Sequence, residues 1–332
     1  MWASFITGLR LEAEMKYRKL GNTGLTVSRL GMGSLTIAED QLDLSLEKGA
    51  EVIRYAMEKG VNFFDTAQGY DTYRYFGEVF KDCDKSNRPV VSTKSRATTY
   101  EEMEESVYKA LRELHLEYID IFLIHEVRHD PDFESRSGAW RCLRDYKAKG
   151  LIKAIGVSTH HIDVVEKMAD TPECDVVFPL VNYAGLGIRK GESAGSAEEM
   201  VKAINRCAAS GKGLYAMKAF GGGHLTRECV KALKFVDGID GISSAMLGMG
   251  TKKEIDEAVA FFDGELGDEF QPDVKNKKVH ISGCEGCGTC IDACPNKAIF
   301  RGEDGKAQLD HDVCLTCGYC APVCPVRAIV LW

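Results

Sequence analysis

The chain has 332 residues, of which 45% are hydrophobic and 28% are charged, a balance typical of soluble globular proteins. At this length we expect one large α/β domain plus a small one, or two medium domains. The net charge of −8 argues against a nucleic-acid-binding surface, and no apolar run reaches the roughly 18 residues of a membrane-spanning helix.

The first residues give no sign of a secretion signal. Arg10, Glu12 and Glu14 are charged where a signal needs a continuous apolar segment, so we expect a cytoplasmic protein. Met15 opens the segment MKYRKLGNTGLTV, and nothing before it suggests chemistry. Residues 1–16 are therefore interpreted as an N-terminal extension.

Short apolar runs alternate with amphipathic stretches from residue 17 to residue 264. Eight runs are predicted to be buried parallel strands, at residues 28–34, 61–65, 89–94, 118–125, 152–158, 175–181, 213–218 and 242–247. Helices are predicted at residues 47–60, 100–115, 196–211 and 251–264. Eight strand–helix units in about 250 residues favour an α/β fold of the (β/α)8 TIM barrel type. An open doubly wound sheet is the alternative, but no GxGxxG motif follows the first strand.

Polar side chains end several of these runs. The residues at four predicted strand ends are Asp65, Lys94, His125 and Ser158, and Tyr70 follows in the loop after Asp65. Because the catalytic groups of such barrels lie at the C-terminal strand ends, we expect these side chains to meet on one rim. Taken singly, each has an ordinary structural role, such as a helix cap or a buried histidine with satisfied hydrogen bonds.

These segments resemble the aldo-keto reductases. The resemblance is carried by FDTAQGY (64–70), VVSTKS (90–95), YIDIFLIHEV (118–127) and IGVSTHH (155–161), after the family-like opening YRKLGNTGLTVSRLGMGS (17–34). It implies a carbonyl–alcohol oxidoreductase with a catalytic tetrad of Asp65, Tyr70, Lys94 and His125. In such a tetrad Tyr70 gives a proton to the carbonyl oxygen as hydride reaches the carbon. Lys94, oriented by Asp65, would lower the pKa of that phenol, and His125 would direct the carbonyl by a hydrogen bond.

The resemblance also implies a bound NADP or NAD. The predicted contacts are Ser158, Asn182, Lys218, Gly221, Gly222, Gly248, Gly250 and Lys252. Glycines after the seventh and eighth strands would let backbone N–H groups approach the phosphates, although the same glycines suit tight turns.

Several positions depart from the family's nucleotide site. Phe178 stands where a glutamine holds the nicotinamide amide, and Met217 stands where a tyrosine stacks on the ring. Met249 and Glu254 occupy or adjoin the positions of the basic residues that hold the 2′-phosphate, which leaves Lys252 and its neighbour Lys253 as weaker candidates.

Eight of the thirteen cysteines lie in two matching runs near the C-terminus. The runs CEGCGTCIDACPNKAI (284–299) and CLTCGYCAPVCPVRAI (314–329) both have the spacing C-x2-C-x2-C-x3-C-P. This spacing resembles the bacterial two-cluster ferredoxins, so residues 279–332 are predicted to be a small ferredoxin-like α+β iron–sulfur domain after a linker at 265–278. Two structural zinc sites are the alternative, although zinc gives no reason for identical four-cysteine runs that each end in proline.

The ferredoxin resemblance implies two [4Fe–4S] clusters with crossed ligation, in which the fourth cysteine of each run binds the other cluster. One predicted ligand set is Cys284, Cys287, Cys290 and Cys324. The other is Cys294, Cys314, Cys317 and Cys320.

Together the two resemblances predict an NAD(P)H-dependent oxidoreductase for a small carbonyl or alcohol substrate, whose clusters exchange electrons with a redox partner protein. Nicotinamides transfer two electrons at once, whereas each cluster accepts one. A flavin usually connects two-electron and one-electron carriers, yet no flavin motif is evident. Four alternatives therefore stay open. The clusters could be structural, regulate a reductase, or supply single electrons to a substrate in the barrel, or the barrel could be the scaffold of an electron-transfer protein.

Overall fold

The computed structural model describes residues 15–39, 41–81, 83, 88–270, 272, 278–316, 319–321, 323–326 and 328–331. Most of the predicted N-terminal extension, part of the predicted linker and the predicted ligand Cys317 lie outside the described residues. Within the described part of the chain, no helix is long and apolar enough to cross a membrane.

An antiparallel hairpin opens the described chain, with strands β1 (Tyr17–Lys19) and β2 (Thr26–Ser28). Its turn carries Leu20, which is fully buried together with Val27 among the side chains inside the barrel. A Cβ at Gly213 would lie 2.6 Å from the Leu20 side chain, so glycine is needed where the hairpin meets the barrel. The hairpin therefore closes the end of the barrel opposite the C-terminal strand ends.

Eight parallel strands form a closed barrel. The first six are β3 (Leu30–Gly33), β4 (Phe63–Asp65), β5 (Val90–Ser95), β6 (Ile119–Val127), β7 (Ile152–Thr159) and β8 (Val176–Pro179). A short hairpin of β9 (Arg189–Lys190) and β10 (Ser193–Ala194) follows, and β11 (Gly213–Ala216) and β12 (Ser244–Gly248) complete the barrel. Strand β12 pairs with β3 and β11 pairs with β8, so the sheet has no free edge. This closure confirms the predicted TIM barrel and excludes the open sheet.

Helices surround the barrel. In chain order they are α1 (Leu46–Glu58), α2 (Tyr73–Phe80), α3 (Tyr100–Glu113), α4 (Asp130–Ser135), α5 (Ser137–Ala148), α6 (Ile162–Ala169), α7 (Ala197–Ala209), α8 (Cys229–Asp237) and α9 (Lys252–Phe262). The four predicted helices are α1, α3, α7 and α9. Three of these four begin with a capping box, in the pairs Thr99–Glu102, Ser196–Glu199 and Thr251–Glu254. In each pair the side chains satisfy N–H groups that the first helical turn leaves without partners.

The C-terminal module has a small core of its own. Strand β13 (Val279–Ile281) pairs with β16 (Ile329–Leu331), and β14 (Ile299–Arg301) pairs with β15 (Ala307–Leu309). One short helix, α10 (Thr289–Ala293), lies between the first two strands in sequence. Several cysteines belong to the module's core, whereas Leu315 belongs to the core of the barrel. The module is therefore packed directly against the barrel.

Candidate active site

The four predicted catalytic residues come together at the C-terminal rim of the barrel. Asp65 ends β4, Lys94 and His125 lie in β5 and β6, and Tyr70 ends a 3-10 turn that follows β4. Asp65, Tyr70 and Lys94 line a cavity of about 660 Å³ that continues past the loops after β11 and β12 to the start of α9. Its volume lies within the range of small-molecule and cofactor sites.

Asp65 and Lys94 form a buried ion pair. The Lys94 ammonium contacts the Asp65 carboxylate and also donates to the Thr66 carbonyl at 2.8 Å. Tyr215 donates to the other Asp65 oxygen at 3.3 Å. Burial is the largest influence on both pKa values: it lowers that of Lys94 and raises that of Asp65, while the attraction between the charges opposes both shifts. Because water is excluded around the pair, each charge is stabilised mainly by the opposite charge of its partner.

Tyr70 lies between this ion pair and His125. The Lys94 Nζ is 4.8 Å from the centre of the Tyr70 ring, and the rings of Tyr70 and His125 meet edge to face with centroids 5.7 Å apart. Burial raises the pKa of Tyr70 well above its ordinary value, so the net shift is opposite in direction to the lowering that was expected from Lys94. The phenol consequently keeps its proton. Burial also lowers the pKa of His125 well below its ordinary value, so the imidazole is neutral at physiological pH.

A fifth residue reaches this group from the C-terminal module. The hydroxyl of Tyr319 lies 3.2 Å from Nε2 of His125, and the Arg96 guanidinium lies 4.7 Å from the centre of the Tyr319 ring. Tyr319 also lines the cavity beside Tyr70. Sequence analysis did not identify it, because a tyrosine between cluster cysteines carries no catalytic signature.

Two of the predicted nucleotide contacts are engaged by the backbone. The Ser158 hydroxyl accepts the Glu126 N–H at 2.9 Å. The Asn182 side chain donates to the Leu186 carbonyl at 2.9 Å and accepts the Leu186 N–H at 3.0 Å. Neither residue lines the cavity. Both side chains hold neighbouring backbone segments in place.

The predicted glycines are explained by close packing of the chain itself. At Gly221, Gly222, Gly248 and Gly250, a Cβ atom would come too close to Leu186, Leu315, Thr36 and Leu42 respectively. At Gly222 the obstructing atoms are backbone atoms of the C-terminal module. The module therefore lies on the glycine loop that was expected to receive the phosphates.

The two predicted basic contacts, Lys252 and Lys218, lie in different places relative to the cavity. Lys252 forms an ion pair with Glu51 at 2.6 Å on the surface and does not line the cavity. Glu254 lines it instead and accepts the Gly250 N–H at 2.7 Å. Lys218 does line the cavity, and among the described residues no hydrogen bond or ion pair engages its ammonium. Of the eight predicted nucleotide contacts, Lys218, Gly222 and Gly248 line the cavity, and Lys218 is the one among these three that has a side chain.

The described cysteines of the two runs lie in the core of the C-terminal module or at its surface. Burial raises the pKa of Cys290, and the nearby thiols of Cys284, Cys287 and Cys324 raise it further. Those four residues are the first predicted ligand set. In the second set, Cys294, Cys314 and Cys320 line one small cavity with the side chains around them.

Backbone and hydroxyl groups already point at the cysteine sulfurs. The donors to Cys284, Cys294, Cys314 and Cys324 are N–H groups at 3.2–3.4 Å, and the Thr289 hydroxyl lies 3.5 Å from Cys287 Sγ. Such hydrogen bonds stabilise thiolates and tune the reduction potential of iron–sulfur clusters. Among the described residues, no three ligand groups converge on a single ion-sized point. A four-iron cluster does not require that convergence, because each thiolate binds a different iron atom.

Comparisons with known proteins agree with the two-part organisation. A model of the aldo/keto reductase family matches residues 29–238, which is more than half of the chain. A model described as a 4Fe-4S dicluster domain matches residues 283–328.

The curated relatives match through part of their length. Aldo-keto reductase YhdN of Bacillus subtilis is 27% identical over 186 residues, which cover 51% of this chain and 54% of the relative. Methylglyoxal reductase DkgA of Escherichia coli O157:H7 is 26% identical over 164 residues, 49% of this chain and 55% of the relative. L-galactose dehydrogenase of Arabidopsis thaliana is 24% identical over 185 residues, 53% and 58% of the two chains. The chain thus spans about half the length of the curated relatives it matches.

Solved structures share the fold. Protein PA4992 of Pseudomonas aeruginosa, whose structure is described as that of an aldo-keto reductase, has a TM-score of 0.63 at 23% identity, covering 76% of this chain and 95% of its own. The aldo-keto reductase AKR11C1 of Bacillus halodurans has a TM-score of 0.61 at 16% identity, covering 78% and 99%. At these identities the likeness concerns the barrel architecture alone.

Proposed function

We propose that this chain, which belongs to the aldo/keto reductase family, reduces a small carbonyl compound to its alcohol at Tyr70 with electrons carried by the C-terminal module. The observation that carries the proposal is the 3.2 Å contact between Tyr319 and His125, because it joins the second cysteine run to the catalytic group. Relatives that are named methylglyoxal reductases support a small carbonyl substrate.

The roles of the barrel residues follow from their protonation. Tyr70, whose pKa burial raises, holds a proton that it can donate to a carbonyl oxygen. His125 is neutral, does not line the cavity and packs edge to face with Tyr70, so it positions the Tyr70 ring. The buried ammonium of Lys94, held by Asp65, stabilises the negative charge that remains on Tyr70 after the proton leaves.

The electron count is consistent with two clusters. The residues that would hold them are Cys284, Cys287, Cys290 and Cys324 in one set and Cys294, Cys314, Cys317 and Cys320 in the other. When bound, the clusters would supply one electron each. Reduction of a carbonyl to an alcohol takes two electrons and two protons, of which Tyr70 gives one proton to oxygen and solvent gives the other to carbon. An external one-electron donor of the ferredoxin or flavodoxin class restores the electrons.

Five of the eight predicted nucleotide contacts do not line the cavity, which argues against a bound NADP or NAD. The side chains of Ser158 and Asn182 are bonded to the backbone, and Lys252 is paired with Glu51 outside the cavity. Backbone of the module lies against Gly222. Glu254 faces the end of the cavity where a 2′-phosphate was expected, so a carboxylate would oppose that charge. No step of the proposed reaction therefore uses a nucleotide.

A second candidate function is the NAD(P)H-dependent reductase that the sequence predicts. One observation favours it: the 660 Å³ cavity extends from Tyr70 past Lys218 to Gly248, along the predicted course of the nucleotide. In this candidate the nucleotide would be held by groups other than the predicted set, and the clusters would be structural or regulatory.

An anaerobic single-turnover experiment separates the two candidates. The cluster-loaded protein is reduced with dithionite, freed of excess reductant and mixed with methylglyoxal and other small aldehydes and ketones without nucleotide. We expect the iron–sulfur absorbance to return and one alcohol to form for every two electrons lost. If no carbonyl reoxidises the protein while NADH or NADPH supports steady reduction of the same compounds, the second candidate is correct.

A further inference from the structure

The two cysteine runs are repeats of one another, and their matched positions differ in a consistent way. An offset of 30 residues aligns CEGCGTC (284–290) with CLTCGYC (314–320). Glu285 in the first run is exposed, whereas its counterpart Leu315 is 2% exposed and lies in the core of the barrel. The same loop therefore has a charged residue toward solvent in one run and an apolar anchor in the other.

The next matched pair shows the same division. Gly286 and Thr316 both have positive φ, at 78° and 45°, so the loop turns alike in both runs. Glycine adopts this conformation freely, while threonine adopts it at a cost in free energy. The Thr316 hydroxyl donates to the Gly222 carbonyl of the barrel at 2.5 Å, a contact that glycine could not make.

The third matched pair reaches different targets. The hydroxyl of Thr289 lies 3.5 Å from the sulfur of Cys287, within its own run. Its counterpart Tyr319 extends away from the module and meets Nε2 of His125 at 3.2 Å. The repeat thus places a cluster-directed hydroxyl in the first run and an active-site-directed hydroxyl in the second.

The exposure of the cysteines follows this asymmetry. Cys287 is exposed and is flanked by glycines and Thr289, which leave its sulfur accessible to a partner. Cys294 and Cys320 are buried, and the Cys314 carbonyl accepts a hydrogen bond from His224 of the barrel at 2.5 Å. Among the described cysteines of the two runs, the one that is exposed therefore belongs to the first predicted set, and the described part of the second run contacts the barrel.

We propose that the two cysteine sets have different roles in electron transfer. The residues around Cys287 form the face at which a one-electron carrier protein delivers electrons, and Leu315, Thr316 and Tyr319 form the face that serves the active site. Tyr319 is a positioning residue of that second face, because it acts through His125. The proposal rests on the proposed function, in which both sets hold clusters, and each delivery oxidises the carrier by one electron.

The first test needs neither substrate nor partner. EPR saturation of the partly reduced, cluster-loaded protein is measured with and without an aqueous nickel–EDTA relaxant. We expect the relaxant to act on one cluster signal and to leave the other unaffected. Thr289→Val removes the hydroxyl at Cys287 Sγ. It should therefore lower the reduction potential of the cluster whose signal responds to the relaxant, and leave the other potential unchanged. Thr289→Ser keeps that hydroxyl and should restore the potential, which separates this effect from misfolding.

The second test measures the two half-reactions separately. Reduction by reduced methyl viologen should be unchanged in Tyr319→Phe, while reoxidation by a carbonyl compound slows by about tenfold or more. Thr289→Val should change the reduction step and leave reoxidation unchanged. Iron and acid-labile sulfide content establishes that each variant is fully loaded.

Two outcomes would overturn the inference. The first is that the relaxant acts equally on both cluster signals, or acts only on the signal of the cluster whose potential Thr289→Val leaves unchanged. The other is an effect of Thr289→Val and Tyr319→Phe on the same half-reaction. If the unaltered protein is not reoxidised by any carbonyl compound, the proposed function fails, and the relaxant experiment still decides whether the two sets differ.

Discussion

Replacement of Tyr70 by phenylalanine tests the proposed chemistry most directly, because it removes one oxygen atom and keeps the ring. The ring contacts His125 edge to face and lies 4.8 Å from the Lys94 ammonium, and both contacts survive in Tyr70→Phe. The variant should therefore keep its fold and its clusters. It loses the buried hydroxyl that burial keeps protonated.

The magnitude follows from the role of that hydroxyl. A positioned general acid contributes about 10²–10⁴-fold to a rate, which corresponds to about 2.7–5.4 kcal/mol of activation free energy. The other phenol in the site, Tyr319, lines the same cavity and contacts Nε2 of His125. We expect Tyr70→Phe to slow carbonyl-dependent reoxidation of the reduced protein within that range.

A matched control is available in the neighbouring helix. Tyr73 is buried, and its hydroxyl bonds the Thr93 hydroxyl at 2.6 Å, outside the cavity. Tyr73→Phe makes the same chemical change and should cost about 1 kcal/mol of unfolding free energy without altering the rate. Stopped-flow absorbance of the iron–sulfur chromophore measures both variants. Retention of more than about a tenth of the rate in Tyr70→Phe would refute the role of Tyr70 as proton donor and favour a barrel that acts as a scaffold.

Three further predictions concern stability and docking. Asp65→Asn leaves the Lys94 ammonium buried without its carboxylate, so we expect about 3–5 kcal/mol less unfolding free energy in chemical denaturation. Burial lowers the pKa of His161 to about 4 from 6.5, so its neutral form favours folding above pH 6.5 and this contribution is lost as the pH falls toward 4. Between pH 7.5 and 5.5, His161→Gln should therefore lose about 1.4 kcal/mol less stability than the unaltered protein, and an equal loss would contradict the burial argument. Gly222→Ala should release the second cysteine run from the barrel, seen as faster hydrogen exchange there, because its Cβ would meet the Leu315 backbone. Gly223→Ala also places alanine at a positive φ but has open space around its Cβ, so it controls for backbone strain and should not release the run.

The barrel could be predicted because its signals are local. Each strand is a short apolar run, and residues such as Asp65 and Lys94 interrupt two of the runs at their C-terminal ends. Because the strands are parallel and form a closed barrel, those ends lie on one rim regardless of the conformation of the loops. A residue at the C-terminal end of a predicted strand could therefore be placed at the active-site rim from the sequence alone.

The nucleotide contacts could not be predicted in the same way. A glycine indicates that some atom approaches closely, but it does not say whether that atom belongs to a ligand or to the chain. At Gly248 and Gly250 the approaching atoms belong to Thr36 and Leu42. Similarly, the side chains of Ser158 and Asn182 can bond an amide of a ligand or of the backbone, and here they bond the backbone.

Tyr319 was missed because docking between two modules depends on contacts far apart in sequence. A comparison of the two cysteine runs with each other would have found it. The repeat matches Tyr319 with Thr289 and Leu315 with Glu285, and in both pairs the second run carries the larger, more apolar side chain. In a repeat whose four cysteines and following proline match, such differences mark the face that packs against something else.

The two candidate functions make opposite demands on the loop at Gly222. A dinucleotide that follows the predicted course needs the backbone of that loop for its phosphates. In the structure, Leu315 lies against Gly222 and the Thr316 hydroxyl is bonded to its carbonyl at 2.5 Å. The same contacts bring Tyr319 to His125, so a phosphate at Gly222 and the docked module compete for one surface. The docked arrangement therefore favours electron supply from the module over hydride supply from a nucleotide.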